Sequence, residues 1–138
     1  PSPSIFPGMM KLQKTTPILC VESIEAVLPF WTHTLGFEKI AEVPHGAGLG
    51  FVILHRDTNE VMLQTHASIA ADIPAVAKVL PTGATLLYSD VESIEKAIEA
   101  LAGAEILVPL RTTFYGAKEV FVRTPDGQIL GFAEHTSG

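Results

Sequence analysis

A single cysteine, Cys20, rules out an internal disulfide framework. Set in the apolar run Ile18-Leu19-Cys20-Val21, it reads as a buried thiol in a reducing compartment rather than a nucleophile. Positive charge is scarce: 9 basic side chains stand against 15 acidic ones, without blocks. No basic stripe can track a phosphate backbone, so nucleic acid is not an expected partner. No apolar run approaches the roughly 20 residues of a membrane span, and the start lacks the charged-then-apolar pattern of a signal peptide. A cytoplasmic location without a membrane partner is the expectation. Catalytic signatures are missing too. There is no G-x-S-x-G elbow, and His45 to Gly50 (HGAGLG) lacks the Lys of a phosphate loop. The five histidines, His33, His45, His55, His66 and His135, form no H-x-H or H-x-x-x-H pair that would announce a metal.

What is present is a duplication. Val21-Glu22-Ser23-Ile24-Glu25 recurs as Val91-Glu92-Ser93-Ile94-Glu95, each copy after a strand-like run and before a helix-like one, as in a chain built from two copies of one unit. With 47% hydrophobic residues over 138 positions, one compact domain can bury a proper core. Thr15 to Val21 reads as a strand with Pro17 at its start or on an edge. Ser23 reads as an N-cap, and Ile24, Val27, Leu28, Trp31 and Leu35 form a buried helical face. Pro29 kinks the helix or starts a second piece, and Gly36 ends it. Strands follow at Glu38–Val43, Gly50–His55 and Glu60–His66. HGAGLG is either a flexible rim or an ordinary hairpin connection.

The second copy has a strand from Thr85 to Val91 and a helix capped by Ser93 with Ile94, Ala97, Ile98 and Leu101 buried, stopped by Gly103. Strands then run over Glu105–Leu110, Lys118–Arg123 and Gln128–Glu134, the last two joined by the turn Thr124-Pro125-Asp126-Gly127. The expected fold class is α+β: two tandem β-α-β-β-β modules, 11–66 and 82–136, forming curled mixed sheets around a cup, joined by a partly helical connector, 67–81. Residues 1–10, rich in Pro, Ser and Gly, are expected to be a disordered or expression-derived leader.

Two segments carry a family resemblance. Phe30-Trp31-Thr32-His33-Thr34-Leu35-Gly36-Phe37 is similar to an F-Y-x-x-x-L-G-F helix end. Tyr115-Gly116 through Glu119-Val120-Phe121-Val122-Arg123-Thr124-Pro125-Asp126-Gly127 is similar to Y-G-x-x-E-F-x-V-x-D-P-D-G. In this order the chain resembles the glyoxalase/bleomycin-resistance/extradiol dioxygenase superfamily, the vicinal oxygen chelate fold, from Leu12 to His135. The resemblance implies a divalent metal in the cup, held by a His or Gln, a Glu, a His and a Glu. Counting back five residues from Val21 and Val91 places Thr16 and Leu86 at two of these positions. Met62 takes another, or Gln64 one inward step further on, and Gly131 stands where G-x-x-x-E would end. Such residues do not hold a catalytic metal, so no cofactor is expected.

The segment Arg111-Thr112-Thr113-Phe114-Tyr115-Gly116, leading into Glu119, combines a guanidinium, hydroxyls, aromatic rings and a carboxylate. This suits contact with a small organic molecule; it would equally serve as cover for a sheet edge. Strand parity adds Gln64, His66 and Tyr88 to the inward positions. The candidate ligand-binding residues are therefore Gln64, Tyr88, Arg111, Phe114, Tyr115 and Glu119. The expected function is metal-free binding or drug sequestration by a homodimer, as the resemblance to bleomycin-type resistance proteins implies. The alternative is a lyase, isomerase or dioxygenase using an unrecognised metal site, or Glu119, Tyr115 or His66 as acid–base groups. A module whose cup is simply filled is a third possibility.

Overall fold

A computed structural model of the chain describes residues 10–136. Apart from Met10, the expected leader lies outside them. Two compact units are formed, one by Thr16–Leu87 and the other, in its described part, by residues 10–15 and 88–136. Their boundaries fall inside strands β1 (Leu12–Val21) and β5 (Thr85–Val91). The class is α+β, with eight strands and short helices among the described residues. No helix there is long and apolar enough to cross a membrane.

In the Thr16–Leu87 unit, β2 (Glu38–His45), β3 (Gly48–Arg56) and β4 (Asn59–Thr65) form an antiparallel set. The strand order is β2-β3-β4-β1, and β1 runs parallel to β4 from Ile18↔Met62 to Val21↔Thr65. Pro17 is not at the start of its strand, because β1 begins at Leu12. Its missing N–H is tolerated there because the ladder to β4 begins one residue later, at Ile18. Helix α1 (Ile24–Pro29) starts as expected, the Ser23 hydroxyl accepting from Ala26 N. Past Pro29 the chain widens into a π-helical turn, Phe30–Thr34, where Leu35 N donates to Phe30 O, five residues back and 3.0 Å away. Gly36, at φ +75°, then lets it leave.

Ile24 is fully buried against Val52, Leu54 and Leu63, with Leu19, Val21, Val27, Leu28 and Trp31 packed around them. Each fully buried aliphatic side chain here contributes about 1.5–3 kcal/mol. The glycine-rich stretch is a tight hairpin: β2 ends at His45 and β3 starts at Gly48. A Cβ on Gly50 would meet that of His45 at 2.5 Å. The connector folds into α2 (His66–Asp72) and α3 (Pro74–Ala77), burying Ile69, Ile73, Val76 and Leu80.

In the other unit the strand order is β5-β8-β7-β6, where β6 is Glu105–Thr112, β7 Ala117–Arg123 and β8 Ile129–His135. Helix α4 (Ile94–Ala100) is capped by Ser93, and Glu134 Oε1 accepts from Ile94 N at 2.9 Å. Ile94 and Ala97 pack on Val91, Val120, Val122 and Phe132. Ile98 is exposed, contrary to the expected buried face. The buried stripe passes through Ile94, Ala97 and Leu101, leaving Ile98 on its flank. At the Pro-Asp-Gly turn, Gly127 takes φ +91°.

Candidate functional site

Strand parity sorts the second unit into two faces. Val91, Val120, Val122, Leu130 and Phe132 meet α4. On the opposite face lie Tyr88, Glu119, Phe121 and Gly131, where the β7–β8 ladder pairs Glu119 with Ala133 and Phe121 with Gly131. Glu119 is completely buried, and a buried carboxylate survives only if paired and hydrogen-bonded. Its Oε1 accepts from Arg111 Nε at 3.0 Å and Arg111 Nη2 at 2.5 Å. Oε2 accepts from the hydroxyls of Tyr88 at 2.6 Å and Tyr115 at 2.9 Å. Register shifts in β6 between Ile106 and Val108, and between Val108 and Arg111, precede the Arg111↔Glu119 pair. Such irregularities re-aim side chains, and here they bring the guanidinium onto the carboxylate.

Burial, reinforced by the negative charge of Glu119, pushes both tyrosine hydroxyls well above their ordinary range. The Tyr115 residue is 47% exposed, although its hydroxyl is turned inward onto Glu119. Both phenols remain neutral donors near neutral pH.

Four of the six binding candidates, Tyr88, Arg111, Tyr115 and Glu119, therefore meet in one cluster. Phe114 is 87% exposed and touches Tyr115 edge-on, ring centroids 5.0 Å apart. Gln64 lies in the other unit, where its amide donates to Ser68 Oγ at 3.1 Å. His66 Nε2 lies 3.0 Å from the Ala77 carbonyl oxygen, so it holds α3 against the start of α2. Cys20 is buried, and burial raises its thiol, as suits an inert side chain.

The residues at the four expected ligand positions do not fit a divalent metal. Thr16 Oγ1 donates to Glu60 Oε2 at 2.9 Å. Leu86 is buried and offers no donor atom. Met62 offers only a thioether, unsuited to a hard cation. At Gly131 a Cβ would come within 2.6 Å of Phe121 Cε2 and 3.1 Å of Tyr88 Cδ1, so aromatic rings occupy the space of a side chain. No three His, Cys, Asp or Glu side chains among the described residues could hold a metal ion.

Sequence reasoning missed one pair, His55 and Glu60, which stand opposite each other in the β3–β4 ladder with Nε2 and Oε1 2.6 Å apart. The signal available was their spacing around Arg56-Asp57-Thr58-Asn59, which makes them face each other if that stretch is a tight hairpin.

The family model of the Glyoxalase/Bleomycin resistance protein/Dioxygenase superfamily matches residues 11–132. No curated protein sequence matches the chain. Among solved structures, a member of that superfamily from Vibrio splendidus is 28% identical, with a TM-score of 0.68, covering 90% of this chain and 99% of its own. A hypothetical protein from Bacillus halodurans is 20% identical with a TM-score of 0.69, covering 94% and 96%. Methylmalonyl-CoA epimerase from Mycobacterium tuberculosis is 13% identical with a TM-score of 0.65, covering 91% and 88%, a likeness of fold alone.

Proposed function

The chain belongs to the glyoxalase/bleomycin resistance protein/dioxygenase superfamily, and from that premise we propose that it binds a small organic molecule without using a catalytic metal. The observation that carries this reading is the packing at Gly131, where the rings of Phe121 and Tyr88 fill the place of a ligand side chain. The binding surface proposed is the edge of the Glu119 cluster. Phe114 and Tyr115 present ring faces and edges to solvent there, with Arg111 beside them, 25% exposed in its side chain. Rings of this kind suit a planar apolar ligand, and the guanidinium suits an anionic substituent.

Glu119 serves in this reading as an anchor that fixes Arg111 and Tyr115, because four donors already occupy its two oxygens. That occupancy argues against Glu119 as a general base. A homodimer is part of the proposal: β6, at the end of its unit's strand order, exposes Ile106 and Leu110, and a second copy would cover such an edge. Sedimentation equilibrium tests it, a monomer at micromolar concentration overturning it.

Binding is tested by a thermal-shift screen of aromatic antibiotics and small oxoacids. A ligand held at 100 times its Kd stabilises the native state by about 2.7 kcal/mol. The shift should shrink in Phe114→Ala, whose exposed ring contributes little to folding. Silence across both compound classes, or a shift indifferent to Phe114, overturns the proposal.

A further inference from the structure

His55 follows Phe51 and Ile53 along the face of β3 opposite to Val52 and Leu54, the residues that meet α1. Across the turn its Nε2 lies 2.6 Å from Glu60 Oε1. Glu60 Oε2 in turn accepts from the Thr16 hydroxyl on β1 at 2.9 Å. Both carboxylate oxygens are engaged, and the side chain is only 12% exposed against 41% for the imidazole. An ordinary ion pair across a hairpin turn holds two long, solvated side chains. Here the carboxylate is pinned from a second strand and mostly buried.

A carboxylate only accepts, so in the neutral ring Nε2 carries the hydrogen and Nδ1 the lone pair. Among the described residues no hydrogen bond to Nδ1 is formed. Glu38 is the partner of His55 in the β2–β3 ladder, and Arg56 and Asp57 follow it in the chain. The Arg56 guanidinium is directed away, onto the Leu35 carbonyl. Next along the same face, Ile53 pairs with Met62 and Met62 with Ile18, an apolar floor beside the base.

The geometry points to a general-base site in which His55 Nδ1 takes a proton from an uncharged organic molecule with an acidic C–H or N–H and an apolar body, Glu60 being the positioning residue. The molecule's X–H bond breaks, Nδ1–H forms, and the electron pair stays on the molecule; the proton then returns to it or passes to water. This site lies in the Thr16–Leu87 unit and does not depend on the binding surface proposed around Tyr115.

The full chain is tested with 5-nitro-1,2-benzisoxazole. Removal of its C3 proton sends the C–H electrons into a nitrile, breaks the N–O bond and releases a coloured phenolate. The expected rate exceeds that of free imidazole at equal concentration and falls on the order of a hundredfold in His55→Gln. Glu60→Gln should lower kcat while leaving KM unchanged, and imidazole should restore part of the rate to His55→Ala. A wild-type rate no faster than free imidazole at equal concentration, or a His55→Gln protein as fast as wild type, overturns the proposal. Should the variants unfold, the histidine ring nitrogens of the wild-type chain decide by NMR. The Nε2–H tautomer at His55 supports the site, and the Nδ1–H tautomer overturns it.

Discussion

Phe121 and Gly131 are cross-strand partners in the β7–β8 ladder, and the Phe121 ring lies where a side chain on residue 131 would go, 2.6 Å from an ideal Cβ. The Tyr88 ring closes the same space from β5, its centroid 6.2 Å from that of Phe121. A residue larger than glycine must displace one of these rings, and Tyr88 is held by its bond to Glu119. Gly131→Glu, which places a carboxylate at the expected fourth ligand position, should therefore destabilise the protein by about 1–3 kcal/mol through overpacking alone. It should also bind no equivalent of nickel, zinc or iron. Urea unfolding and elemental analysis of the purified variant measure the two effects. Wild-type stability with one tightly bound metal would show that the rings yield and that the family site is latent.

The Glu119 cluster makes a second, graded prediction. Glu119→Gln keeps the shape and removes the charge, leaving Arg111 without its carboxylate; breaking a buried pair from one side costs about 3–5 kcal/mol. Arg111 is partly exposed, so the lower end is expected. Tyr88→Phe removes one bond to a charged acceptor, about 1.5–3 kcal/mol. Tyr115→Phe should cost less, because that residue is half-exposed and its site can rehydrate. Equilibrium unfolding of the three variants should give the order Glu119, Tyr88, Tyr115. A Tyr115→Phe variant weaker than Tyr88→Phe would mean that the loop, not the buried phenol, organises the cluster.

How far the sequence could be read depends on which contacts are local. Ser23 and Ser93 announced their helices because an N-cap is a matter of four consecutive residues. Arg111, Tyr115 and Glu119 could be grouped because they share one short segment, and Tyr88 could be added because parity is fixed along a strand. Thr16 could not be joined to the His55–Glu60 pair, since the approach of β1 to β4 depends on a parallel register that no local pattern encodes. Pro17 misled for the same reason: its cost depends on where a neighbouring ladder begins. Ile98 misled because a helix of seven residues buries a narrower stripe than its apolar count suggests.

The two tyrosines of the chain, Tyr88 and Tyr115, give a spectroscopic prediction. Both hydroxyls are held above the ordinary value of 10.0 by burial and by the Glu119 charge. The unfolded chain releases these protons near pH 10 while the folded one retains them, so the folded state binds more protons above that point. By linkage their contribution is intact below pH 10 and is lost as the pH rises further. An absorbance titration at 295 nm should show little tyrosinate while circular dichroism remains native. Both phenols should then ionise together with alkaline unfolding. A native protein that titrates one full tyrosine near pH 10 would show that Tyr115 is open to solvent, and two would dissolve the cluster altogether.

The repeated Val-Glu-Ser-Ile-Glu segments set up an internal comparison. Each serine accepts from the backbone N–H three residues on, Ser23 from Ala26 at 3.3 Å and Ser93 from Lys96 at 3.2 Å. Loss of such a cap costs about 1 kcal/mol. The two sites differ in their surroundings. At α4, Glu134 accepts from Ile94 N and places a negative charge on the helix N-terminus; at α1, Glu25 accepts from Leu49 N and from its own backbone N–H, and among the described residues no carboxylate from another strand accepts from Ile24 N. Ser93→Ala therefore leaves a second acceptor in place and should destabilise less than Ser23→Ala. Ser93→Ala combined with Glu134→Ala should cost more than the sum of the single changes, because the first turn then loses both side-chain acceptors at once. Equal costs for the two serines, or strict additivity at α4, would mean that water satisfies these N–H groups as well as the side chains do.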